Sequence, residues 1–142
     1  MSWFPKRTVV VPVDFSEDSL AAVDVALQLV ADPEGLRVIH VLPEPAMIEP
    51  AIEWQQIDNE LHCQRAEDAI RQRVADPKYA KVQIDIEFGN AGYRIAQFAR
   101  EVAADLIVIP SHGRSRLEHI LVGSVTDRVI RLSHCPVLVL RK

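Results

Sequence analysis

At 142 residues, 49% apolar and 25% charged, the chain has the composition of one soluble globular domain able to bury a full core. A formal net charge of −4 argues against nucleic acid as the default partner, and no apolar run approaches the roughly 20 residues of a membrane span. The start, MSWFPKR, lacks the apolar stretch of a secretory signal, and Cys63 and Cys135 lie far apart without CxxC spacing, so a reduced, cytoplasmic setting is expected.

Trp3 and Phe4 come first and are expected to pack on the core. Residues 8–15, TVVVPVDF, are a continuous valine-rich run, the mark of a parallel strand buried on both faces. Ser16 then reads as a helix N-cap, with Glu17 and Asp18 in the first turn and Leu20, Val23, Leu27 and Val30 at helical spacing. LRVIHVL, 36–42, is a second strand, in which His40 reads as a packed, hydrogen-bonded side chain. Pro43, Pro45 and Pro50 break the chain before a long polar helix from about 51 to 75 that carries Trp54.

KVQIDIEF, 81–88, alternates apolar and polar residues and predicts a half-exposed edge strand. A helix follows through Ile95, Phe98, Ala99 and Val102. DLIVIP, 105–110, is an all-apolar strand stopped by Pro110. A last helix spans about 124–132, and PVLVL, 136–140, is the last strand. Five strands alternating with helices predict an α/β fold with a mostly parallel sheet, in one domain over residues 1–142.

The glycines stand at 35, 89, 92, 113 and 123, which excludes GxGxxG, Walker A and GxSxG motifs. What remains is Ser111-His112-Gly113, nine residues, then Gly123-Ser124. The first group sits at the carboxyl end of a strand, where open parallel sheets bind ligands. Gly113 can offer a backbone N–H with no Cβ in the way, and Gly123 and Ser124 open a helix whose N-terminus suits an anion. Ser124 and Thr126 add hydroxyls, and Arg114 and Arg116 lie in the spacer as candidates to screen phosphate charge. The alternative is ordinary capping by Gly and Ser, with solvated arginines between. Asp14, at a strand end, reads as a cap of the next turn or as a ligand contact. The five histidines form no metal set, and no catalytic group stands out.

The segments VVVPVDFSEDS, VIHVL, ADLIVIPSHGRS and SHCPVLVLR, together with the spaced glycines, resemble the universal stress protein family over essentially the full length. The family motif, G-x2-G-x9-G-(S/T), is matched at Gly113, Gly123 and Ser124, while Pro110 replaces its first glycine. The resemblance implies a single-domain three-layer sandwich, Rossmann-like, with strand order 3-2-1-4-5. It also implies an adenine nucleotide, ATP, ADP or AMP with or without Mg2+, held between the first and fourth strands. On that reading Pro12, Val13 and Asp14 lie at the first strand's end, Asp14 towards ribose and adenine, and Val41 meets the adenine with its backbone. Ser111, His112, Gly113 and Arg114 follow ribose and phosphate; Gly123, Ser124, Val125 and Thr126 hold the distal phosphates. A homodimer pairing the final strands, Val137–Leu140, is implied as well. The expectation is therefore a stress-response module that senses or binds a nucleotide rather than an enzyme. Its rivals are an interaction protein of the same fold that needs no nucleotide, and a slow ATPase.

Overall fold

The computed structural model describes residues 3–44, 52–112 and 122–141, with only the helical backbone described at 52–57. In chain order the elements are β1 (Val9–Pro12), α1 (Glu17–Leu29), a 3-10 turn (Pro33–Gly35), β2 (Leu36–Leu42) and α2 (Ile52–Arg73). A second 3-10 turn (Pro77–Tyr79), β3 (Gln83–Phe88), α3 (Ala91–Glu101), β4 (Leu106–Pro110), α4 (Ser124–Leu132) and β5 (Val137–Leu140) follow. The strands form one sheet in the order β3-β2-β1-β4-β5, and every pairing is parallel.

Strand alternation splits the core in two. Val9, Val11, Leu36, Val38, Leu106 and Val108 face α1 and α2, where Ala22, Val23, Ala26, Ile70 and Val74 cover them. Val10, Ile39, Ile107 and Ile109 face α3 and α4, against Ile95, Phe98, Ala99 and Val129. Helices on both faces make the three layers and explain why the central strands are apolar without interruption. β3, the edge strand, keeps Gln83 exposed and its remaining residues half-buried, as its alternating sequence predicts.

Local chemistry sets the element ends. Ser16 Oγ accepts the Ser19 N–H at 3.1 Å and starts α1; Asn90 Oδ1 accepts the Tyr93 N–H at 3.2 Å and starts α3. β1 is shorter than the valine run suggests. Asp14 Oδ1 accepts the Ser16 N–H at 3.0 Å, and Phe15 takes a φ of 66°, which turns the chain out of the sheet. At the opposite end of β1, both Asp105 carboxylate oxygens accept backbone N–H groups, from Arg7 and Thr8, each at 3.0 Å.

Trp3 and Phe4 do not pack on the core. They are 60% and 42% exposed, with the Lys6 ammonium 4.0 Å from the Trp3 ring centroid, because α1 and the sheet have already closed over Val9, Val10 and Val11. Cys63 and Cys135 are free thiols, and burial raises both above the ordinary thiol range, as packed cysteines behave.

Candidate functional site

The sheet opens where its order reverses. β1 and β4 pair only at Val9↔Leu106 and Val10↔Ile107 and then part, while β1 stays with β2 as far as Pro12↔Ile39. A cavity of about 280 Å³ lies at the carboxyl ends of these strands. β1 and its following turn contribute Pro12, Val13, Asp14 and Ser19; β2 contributes Ile39, His40 and Val41; α3 contributes Ala91 and Ile95. Ile109 and Pro110 of β4 and Gly123 to Thr126 at the start of α4 close the far side.

Backbone direction gives the apolar walls a polar edge. Val13 N–H donates to the Ile39 carbonyl at 2.8 Å, and Gly89 N–H donates to the Leu42 carbonyl at 2.9 Å. Odd residues of β2 thus direct their backbone groups towards β1, and even ones towards β3. Val41 lies two residues past the last β1 pairing, so its N–H and C=O point to the space beyond β1. This is an adjacent donor and acceptor on the cavity wall.

The same alternation in β4 sets the orientation of Pro110. Ile107 and Ser111 donate to the Pro136 and Leu140 carbonyls at 3.0 and 2.9 Å, so the even residues, Pro110 included, face β1. Pro110 is the last residue of β4 and pairs with Leu140, so it occupies an extended strand end that suits its fixed φ. It has no N–H, and its carbonyl accepts the Thr126 hydroxyl at 2.8 Å. Pro110 therefore offers the cavity no N–H, and its carbonyl is already engaged.

α4 supplies the electrostatic feature. Its N-cap is Gly123, with φ −69° and ψ 163° and no side-chain cap bond, unlike the capped starts of α1 and α3. Gly123 N–H donates to the Ser111 carbonyl at 2.7 Å, and its own carbonyl accepts the Asp127 N–H at 2.9 Å. The amides of Ser124, Val125 and Thr126 are first-turn groups with no acceptor within the helix, placed beside the cavity at the positive end of the helix dipole.

Eight of the twelve residues expected to contact the nucleotide line the cavity, Pro12, Val13, Asp14, Val41, Gly123, Ser124, Val125 and Thr126, and His40 and Pro110 line it as well. Ser111 is buried and works through its carbonyl; its hydroxyl lies 3.2 Å from His112 Nδ1, and neither residue lines the cavity. Gly113, Arg114 and Arg116, the Trp54 side chain, and Pro45 and Pro50 lie outside the described residues. Thr126 is placed differently from expectation, because its hydroxyl proton goes to Pro110 and not to the cavity. Asp14 caps its turn, as one of its two readings has it, and also lines the cavity.

His40 is satisfied: Nδ1 donates to the Val13 carbonyl at 2.7 Å, and the ring packs edge-on to Phe15 at 4.9 Å. Arg128 reaches Asn90 Oδ1 at 3.0 Å, and Arg131 pairs with Asp127. Sequence reasoning missed Ser19, Ile39, Ala91, Ile95 and Ile109 as lining residues. They are ordinary core residue types, and the signal that finds them is strand alternation combined with the side on which each helix packs. Among the described residues no cluster of His, Cys, Asp or Glu could hold a metal, and no helix is long and apolar enough to cross a membrane.

A family model, described as the universal stress protein family, matches residues 6–141. The universal stress protein MJ0531 of Methanocaldococcus jannaschii is 32% identical, over 96% of this chain and 82% of that one. The solved structure of MJ0577, a universal stress protein of the same organism, has a TM-score of 0.73 at 27% identity and covers 96% of each chain. A universal stress protein solved in complex with cAMP has a TM-score of 0.64 at 28% identity, over 96% of this chain and 98% of that one.

Proposed function

The chain belongs to the universal stress protein family, and from that premise we propose that it binds an adenine nucleotide in the cavity between β1 and β4, as a sensing module in a stress response. The observation that carries this reading is the Val41 edge. A backbone N–H beside a C=O, at the mouth of an apolar slot, matches adenine, whose N1 accepts and whose 6-amino group donates. Pro12, Ile39 and Ile109 supply apolar contact for the ring, Asp14 lies at the ribose end, and the first-turn amides of α4 receive phosphate. A related structure that carries cAMP supports the same ligand class.

ATP, ADP and AMP share this chemistry, and Mg2+ would accompany the longer phosphate chains. Within the reading, the protein is cytoplasmic and homodimeric, pairing Val137–Leu140 of two copies across the open edge of β5, where Leu138 is 36% exposed. The absence of a Pro110 N–H favours one rival, an interaction protein of the same fold that holds no nucleotide.

Base selectivity separates the two. Guanine presents an acceptor where adenine has its amino donor, and an N–H where adenine has an acceptor, so two groups are mismatched at once. Calorimetric titration should show ATP bound about 100-fold more tightly than GTP. Equal affinities would remove Val41 as the reader of the base, and no heat with either nucleotide would favour the rival.

A further inference from the structure

The start of α4 is tied to the end of β4 by two bonds whose acceptors are consecutive residues. Thr126, 3% exposed, donates its hydroxyl to the Pro110 carbonyl at 2.8 Å, and the Gly123 N–H donates to the Ser111 carbonyl at 2.7 Å. Both donors belong to the opening of one helix. Two fixed points at the strand end set the position and tilt of the helical turn that lines the cavity.

The Thr126 bond answers a need created by the strand. The Pro110 carbonyl faces β1, but β1 has stopped pairing with β4 at Val10↔Ile107, and Pro110 itself is buried. Without Thr126 this carbonyl would be a buried acceptor with no donor from the sheet. A hydroxyl in the first turn of a helix ordinarily bonds to nearby backbone or to water. Here it reaches back 16 residues, and a hydroxyl has one proton to give. A phosphate oxygen only accepts, so the Thr126 side chain cannot serve it while this bond stands.

We propose that Thr126 is a positioning residue for phosphate: through the Pro110 carbonyl it holds the amides of Ser124, Val125 and Thr126 in register with the nucleotide's phosphate chain. The inference rests on the adenine-nucleotide reading above and deepens it.

The test compares Thr126→Val, which keeps the shape and removes the donor, with Thr126→Ser, which keeps the donor. Each is titrated with ATP and with adenosine, which lacks the phosphates. Thr126→Val should weaken ATP binding about tenfold and change adenosine binding by less than about threefold, while Thr126→Ser stays within about threefold of the unaltered protein for both. Thr126→Ala takes the place of the valine variant should that one not fold, with the same expectation. Amide exchange at Gly123 and Asp127, whose N–H groups donate to the Ser111 and Gly123 carbonyls, should speed up in the donor-less variant, with the amides of α3 unchanged. Equal losses for ATP and adenosine, unchanged ATP binding, or a serine variant as weak as the valine one would each overturn the positioning role. No ATP binding by the unaltered protein would overturn the nucleotide reading beneath it, a result distinct from the others.

Discussion

Gly123→Asp should weaken ATP binding by about 30- to 1000-fold and leave the protein folded, with affinity and stability moving in opposite directions. Gly123 has φ −69°, which any residue adopts, so its backbone does not require glycine. Aspartate is among the best N-caps, and α4 has no side-chain cap. The variant carboxylate would accept first-turn N–H groups and raise helix stability by about a few tenths of a kcal/mol. Those are the same amides that phosphate needs, and the new charge would stand beside it. Repulsion between a carboxylate and a phosphate oxygen about 4 Å apart, at an effective dielectric near 20 and reduced by partial exposure, is about 2–4 kcal/mol. Affinity for ATP should therefore fall about 30- to 1000-fold. Titration calorimetry and a thermal melt on the same sample check both halves. ATP affinity equal to that of the unaltered protein would place the phosphate elsewhere.

Gly35→Ala should be the most damaging small change at the other end of the sheet. A Cβ at Gly35 would lie 2.0 Å from the Arg7 carbonyl oxygen and 3.2 Å from Val30 Cγ2. The first contact is with backbone that cannot move aside. Asp105 holds the Arg7 and Thr8 amides, and Lys6 is bonded to both Leu29 and Ala31. Relief must come from displacing the start of β1 or β2, at a cost of about 3 kcal/mol. A melting temperature lower by about 6–12 °C is expected for a chain of this size. Because Gly35 lies at the amino end of β2 and the cavity at the carboxyl end, nucleotide affinity measured well below the melt should be unchanged. A melting temperature within a degree of the unaltered protein's would show that the β1 entry yields more easily than its bonds suggest.

The fold was legible in the sequence wherever burial and periodicity agree. Val9 to Val11 and Leu106 to Ile109 are apolar without interruption because helices cover both faces, and Ser16 caps its helix as its position before Glu17 and Asp18 suggests. The end of β1 was less legible. Val13 and Phe15 extend the apolar pattern on either side of Asp14; the turn comes from the Asp14 bond to Ser16, one of the two readings of that residue, and from the φ of Phe15, which has no sequence signature. At the site, Gly123 and Ser124 located the α4 N-terminus correctly. They gave no hint that Thr126 spends its proton on Pro110, because that bond depends on where β1 and β4 separate. Val41 was named by the family resemblance, while the direction of its N–H and C=O needs the register of β1 against β2.

The central claim, an adenine nucleotide in this cavity, is tested most directly by purifying the protein gently, releasing bound small molecules with acid and identifying them by mass spectrometry. The account predicts a stoichiometric adenine nucleotide, lost in Gly123→Asp. Nucleotide-free protein whose melting temperature does not move with millimolar Mg-ATP would contradict it.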